Sequence, residues 1–269
     1  GISPLARAPP TLVGLGLLEA VAEETIAARA DPDDRDGDGI SGRMSRVAAG
    51  QQLGRFGWKA QQATLSSQVA AALSEDMGIT TRQHPYAGCA PKDKACRGAV
   101  DASGRPEMTD QDFDRLIAYL RSVAPPAPRP ETPSSRRGEA LFVAAGCEAC
   151  HRTTLVTPSV VDDAFPHGVA QQRIYPFTDL LLHDMGPGLA DGESTGSTAA
   201  PGEWRTAPLW GLGLLKTVNG TMQLLHDGRA RTFEEAILWH GGEAAGAQAR
   251  YTRLSKAERN DLNAFLQRL

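Results

Sequence analysis

Apolar residues recur at helical spacing over residues 17–29 and 64–75, and Thr109-x-x-Asp112 has the form of a capping box that opens a third helix to about Val123. Loops rich in Gly, Asp and Arg separate these helices, including a long irregular stretch over residues 80–106. Further along, residues 135–145 predict a helix running into Cys147. Thr232-Phe-Glu-Glu235 is a second capping box, for a helix that stops at His240-Gly241-Gly242, and residues 255–269 form a last amphipathic helix. Residues 152–222 carry no long periodic segment, only loop punctuated by Gly and Pro with a short helical candidate near residues 179–183. Loops of that length inside a compact fold usually pack against something functional, and a bound cofactor would supply it.

The pattern breaks most sharply at residues 124–133, where five prolines in ten residues favour an extended spacer over a helix. The expectation is a mostly α protein in two parts. Residues 1–123 form a small, loop-rich helical region, residues 124–133 a linker, and residues 134–269 a second domain. The longest apolar runs fall far short of the roughly 20 residues a membrane-spanning helix needs. A balance of 28 basic and 32 acidic side chains gives no electrostatic reason to expect nucleic acid or anionic lipid as a partner. The start, Gly1-Ile-Ser-Pro4, lacks the order of a secretory signal and reads as processed or truncated. No Ser-His-Asp order, P-loop or dinucleotide glycine fingerprint is present, so hydrolase and nucleotide readings have no starting residue.

The strongest chemical signal is Cys147-Glu-Ala-Cys150-His151. At this spacing two thiols form thioethers with the haem vinyl groups while the next histidine ligates the iron. A redox dithiol would not need His151, and a zinc site would need two more ligands at matching spacing. The reading is one covalent haem c in a cytochrome c-like domain from about Ser134, with His151 as proximal ligand. His240, at a helix end beside two glycines, and Met185, in His183-Asp-Met-Gly186, compete for the other face of the iron. Each is equally open to a packing role, and the residues alone do not decide between them.

Asp34, Asp36 and Asp38 alternate before a glycine, as hard oxygen ligands for calcium require, and Asp31 and Asp33 stand ready to supplement them. The twelfth position of an EF-hand loop, counted from Asp34, is Ser45 rather than Glu, so a solvated acidic turn stays open beside the calcium reading. Cys89 and Cys96 flank a polar loop that needs a staple, and c-type haem attachment is completed outside the cytoplasm, where this pair would oxidise to a disulfide. Both features point to the periplasm or another extracytoplasmic space. Trp204, Trp210, Trp239 and Tyr175 lie among the same motifs, with core packing as the default for all four.

Four runs carry a family resemblance: residues 203–213, from Glu203-Trp-Arg to Gly213; residues 224–243, from Leu224-Leu-His-Asp-Gly to Glu243; Tyr175 to Gly186; and Asp36 to Gly42. Together they make the chain similar to the di-haem oxidoreductase family (peroxidase-like, thiol oxidoreductase), distant kin of bacterial di-haem cytochrome c peroxidases. In those peroxidases a His-x-Gly turn precedes the distal ligand of the C-terminal haem by fourteen residues; that ligand is methionine there and tyrosine in a methylamine-dehydrogenase maturation relative. Counting from His226 gives His240. The resemblance therefore implies bis-histidine, six-coordinate haem closed to peroxide, with Arg205, His226, Asp227 and Arg229 around it and the arginines suited to haem propionates. It implies the electron-transfer half of a di-haem oxidoreductase, working with a redox partner protein or a second haem domain. One departure matters: the family carries a second Cys-x-x-Cys-His, and this sequence holds one. Peroxidase activity would then need a haem from a missing segment or another chain, and a non-enzymatic mono-haem carrier or redox subunit stands as the alternative.

Overall fold

The computed structural model describes residues 7–47, 50–86, 88–90, 92–100, 105–161, 165–166, 168–191 and 198–269. The chain start read above as processed lies at residues 1–6, outside the described residues. Within them the protein is mainly helical, with ten α-helices and three short antiparallel strand pairs. The helices are α1 (Leu15–Ala20), α2 (Glu23–Ala27), α3 (Leu65–Glu75), α4 (Lys94–Val100), α5 (Asp110–Ser122), α6 (Pro133–Ala144), α7 (Leu215–Asn219), α8 (Phe233–Trp239), α9 (Ala245–Thr252) and α10 (Lys256–Arg268). The pairs are β1 (Ser45–Val47) with β2 (Gln52–Gly54), β3 (Leu155–Val156) with β4 (Arg173–Ile174), and β5 (Leu182–Asp184) with β6 (Glu203–Arg205). No helix among the described residues is long and apolar enough to cross a membrane.

Several sequence expectations need correction. The helix expected over residues 17–29 breaks into α1 and α2 at Val21 and Ala22, both extended. The cause is Arg55, whose guanidinium donates to the carbonyls of Leu18, Glu19 and Val21 and so satisfies the last acceptors of α1 from outside the helix. The stretch expected to be irregular contains α4, and residues 152–222, which carry no long periodic segment, contain among the described residues only the five-residue α7. Pro133 belongs to α6 rather than the linker. Thr132 caps that helix with a reciprocal Ser135 box, and proline suits a first turn whose N–H groups have no helical partner. In α8, Thr232 accepts from the Glu235 amide, but the Glu235 carboxylate accepts from Arg231, so the box is not closed on Thr232.

The helical candidate at residues 179–183 is instead an irregular loop, with Leu180 at a φ of 64°, that leads into β5 at Leu182. Its amides are taken by local side chains: Leu180 donates to Thr178 Oγ1 and Leu181 to Asp179 Oδ1, which competes with a helical ladder.

Two apolar clusters organise the molecule. The first joins Leu18, Ile26, Leu65, Val69, Phe113 and Ile117 to Leu155, Ile174, Leu180 and Trp210 from beyond the prolines. The second joins Phe142 of α6 to Phe177, Tyr251, Leu262 and Phe265. The proline stretch is strapped to the second part of the chain, since Arg129 donates from its amide to Arg268 and from its side chain to Gly213. Helices α6 and α10 pack closely enough that a Cβ at Gly138 would stand 2.0 Å from the Asp261 carbonyl oxygen.

Candidate functional site

The Cys147–His151 segment leaves α6 through Gly146, whose φ of 81° lies in the left-handed region. A side chain there would be strained and would also meet Arg250, which donates to the Ala145 carbonyl at the end of the helix. Cys147–Ala149 then form one 3-10 turn, and the His151 amide bonds back to the Cys147 carbonyl. Both thiols are free and part-buried. Burial pushes Cys147 up to about 11 and raises Cys150 as well, so both rest as neutral thiols on the same turn.

His151 Nδ1 lies 2.9 Å from the Phe177 carbonyl. A carbonyl only accepts, so Nδ1 carries the proton and the lone pair is on Nε2. Burial holds this imidazole down to about 4, with His240 nearby adding to the effect. His240 is the C-cap of α8 and repeats the arrangement, with Nδ1 donating to the Ala236 carbonyl at 2.7 Å and burial again disfavouring the charge. Both are neutral imidazoles oriented by a backbone carbonyl with Nε2 left as the available donor atom, the donor chemistry that suits a haem iron. Met185 lies close to the same place, because the Gly186 turn packs against Gly241 and Gly242.

The carbonyl that orients His151 belongs to a strained loop: Phe177 and Leu180 have φ of 54° and 64°. Non-glycine residues seldom hold such angles, and they cluster where function over-determines the backbone. The loop also presents Asp179 to His183. His183 is fully buried, with Nε2 2.9 Å from Asp179 Oδ2, Nδ1 2.7 Å from Glu243 Oε2, and Nδ1 3.5 Å from Cys150 Sγ. Burial opposes its charge, but the hydrogen bonds to Asp179, Cys150 and Glu243 outweigh it and push the imidazole up to about 12. Cys150, Asp179 and His183 are close enough to resemble a metal cluster. The direct 2.7 and 2.9 Å contacts are hydrogen bonds, however, and place protons where an ion would have to stand. In the sequence His183 stands only within the run His183-Asp-Met-Gly186, and nothing in its spacing shows that it sits between two carboxylates.

Comparison with known proteins now bears on this site. A family model described as "Di-haem oxidoreductase, putative peroxidase" matches residues 5–269. The chain belongs to that family. Family membership implies a haem cofactor and a haem redox role for the protein. A search of curated proteins returns no match. Among solved structures, hydrazine synthase of Kuenenia stuttgartiensis is similar at 16% identity and TM-score 0.39, over 99% of this chain and 90% of that one. A MauG-like protein associated with microbial copper homeostasis is similar at 19% identity and TM-score 0.44, over 100% of this chain and 94% of that one. Scores this low carry no argument about the site.

The remaining sequence-selected residues of this di-haem oxidoreductase family member fall in three places. Arg205 is buried and donates to the carbonyls of Gly57 and Thr206, with burial bringing it down to about 10, so its guanidinium is engaged with backbone. His226 stacks on Trp204 at 3.6 Å, with Lys59 over that ring as well; burial, despite Asp227, holds His226 down to about 4. Arg229 ties three pieces together, donating to Asp227 and the Gly188 carbonyl while lying over Trp239 beside His240. Trp204 and Trp210 are core residues as expected, but Trp239 and Tyr175 are not, being 42% and 52% exposed.

Away from the haem residues, Cys89 and Cys96 form a disulfide with Cα atoms 5.8 Å apart. Asp34, Asp36 and Asp38 bring their carboxylates within 4.8 Å of one another. Those carboxylates also accept from the amides of Gly39, Asp38 and Ile40, while Asp31 and Asp33 are engaged by Arg35.

Proposed function

We propose that this chain is a c-type haem redox protein, the electron-transfer haem domain of a di-haem oxidoreductase of peroxidase type. Cys147 and Cys150 would attach one haem covalently in a cytochrome c-like domain, with His151 and His240 as its two axial ligands. The observation that carries this reading is the matched tautomer of the two histidines, each neutral and each with Nδ1 fixed by a backbone carbonyl. Haem bound there supplies reversible one-electron chemistry. The chain's own contribution is orientation: Phe177 and Ala236 fix the imidazole planes, and burial keeps both rings unprotonated. Arg229, at the edge of this region, has the geometry to meet an anionic haem substituent beside Trp239, with Arg205 and His226 supporting the surrounding loops.

The electron partner in this reading is a redox protein or a second haem domain, the compartment is periplasmic or otherwise extracytoplasmic, and the Asp34, Asp36 and Asp38 loop takes calcium. The Cys89–Cys96 disulfide is consistent with an oxidising compartment. The second reading, a mono-haem carrier or redox subunit without chemistry of its own, is favoured by the single Cys-x-x-Cys-His in the sequence.

Optical spectra in both oxidation states, with haem quantitation, test the proposal. One haem per chain, low-spin in both states, is expected, and His240→Ala should turn the ferric spectrum high-spin. A spectrum unchanged in that variant but altered in Met185→Ala would reassign the distal ligand. Turnover of peroxide once a second haem domain is supplied favours the enzyme; inertness in its presence favours the carrier.

A further inference from the structure

We propose that His183 is a fixed positive charge beside the haem attachment point, held in place by Asp179 and Glu243, and that it raises the reduction potential of the haem without touching the iron. The inference rests on the covalent-haem reading above and adds to it a residue that sets the potential. Both ring nitrogens of His183 face carboxylate oxygens, at 2.9 Å for Asp179 and 2.7 Å for Glu243. An ionised carboxylate only accepts hydrogen bonds, so both nitrogens donate and the ring is an imidazolium. Its Nδ1 is 3.5 Å from Cys150 Sγ, the atom that would become the thioether sulfur and that is not itself an iron ligand.

The site is built to keep that charge where it is. The His183 side chain is 3% exposed and Asp179 2%. Glu243 is fixed by three further donations besides that of the imidazolium, from the Ser41 amide, the Ser41 hydroxyl and the Asp184 amide. Gly42 closes the remaining edge, since a Cβ there would stand 2.5 Å from Cε1 of the ring. A charge buried this way is little screened by solvent, and a cation near a haem favours the reduced form because that form carries one positive charge fewer. The carboxylates act in the opposite sense, so the cluster makes a prediction with two signs.

The test is redox titration of the haem-loaded protein in the variants His183→Gln, Glu243→Gln and Ser41→Ala. His183→Gln should shift the potential down, Glu243→Gln should shift it up, and Ser41→Ala, which removes hydrogen bonds and no charge, should leave it in place; the low-spin spectrum should be the same in all. Shifts of the same sign in the first two, no shift in either, or a change of spin state would overturn the inference in favour of a structural role for the cluster. Should His183→Gln fail to fold, Glu243→Gln against Ser41→Ala decides alone, an upward shift supporting the inference and a downward or absent one overturning it. A wild-type protein whose Cys150 carries no haem would overturn the covalent-haem reading and this inference together; haem in place with unmoved potentials would overturn this inference alone.

Discussion

Two regions adjoin the Cys147–His151 turn, and they are held together by contrasting means. On one side α6 and α10 pack through apolar groups: Phe142 and Phe265 have ring centroids 5.3 Å apart, Phe177 closes on both, and Gly138 lets the backbones approach. On the other, residues 176–191 and 198–206 have little regular structure beyond the β5–β6 pair and are fixed by charged side chains that donate to backbone carbonyls. Lys59 Nζ reaches Ala200, Pro201 and Glu203 at 3.1, 2.8 and 2.8 Å, Arg205 reaches Gly57 and Thr206, and Arg43 pairs with Glu203. A buried carbonyl needs a donor from somewhere, and where no helix or sheet supplies it a long cationic side chain can. The helical side positions the thiols, and the polar side supplies the Phe177 carbonyl and Asp179.

The largest effect should come from emptying the apolar side. Phe265→Ala removes a side chain with no exposed surface and should cost about 3–5 kcal/mol in urea unfolding; a loss below about 1 kcal/mol would show that the helix pair is not the frame. The matching change on the polar side is Lys59→Met, which strips the donor from three carbonyls and one of two cationic partners, the other being Arg7, from Asp191. It should cost about 3 kcal/mol, with faster amide hydrogen exchange confined to residues around 200–205; exchange spread evenly over the molecule would mean that Lys59 does not hold this region in particular.

These two sides also explain what was legible beforehand. Helices α3, α5, α6, α8 and α10 could be placed because each carries apolar residues at helical spacing or a capping signal at its start, Thr109 for α5 and Thr232 for α8. The candidate haem residues stand out in the sequence as a spacing, Cys147-x-x-Cys150-His151, and through the likeness that points to His240. What could not be read was every element set by a distant polar side chain. Arg55 breaks α1 from α2 across more than thirty residues, and His183 meets Glu243 across sixty. Such bonds leave no period in the sequence, so residues 179–183 read as helix when the side chains of Thr178 and Asp179 hold the Leu180 and Leu181 amides in a non-helical loop.

Smaller effects sharpen the contrast. Replacing Cys89 and Cys96 by serine removes a cross-link in a region that borders neither side, and should cost about 2.5 kcal/mol by loop entropy while leaving the haem spectrum untouched; a changed spectrum would place that loop in the haem environment. The smallest concerns His226, on the polar side. Its imidazole should titrate in NMR near pH 4, since burial disfavours its charge in the folded state. A folded value below the ordinary 6.5 means that its contribution to stability is complete above about pH 6.5 and is lost progressively as the pH falls toward 4. A midpoint near 6.5 would show that the Trp204 stack is open to solvent.

The account stands on haem bonded to the turn that follows α6. Peptide mass spectrometry of protein produced with a c-type maturation system tests this directly. The account predicts that the peptide containing Cys147 and Cys150 carries the mass of one haem through two thioether bonds and that no free thiol is recovered there. The same peptide recovered unmodified, with both thiols open to alkylation, would contradict it.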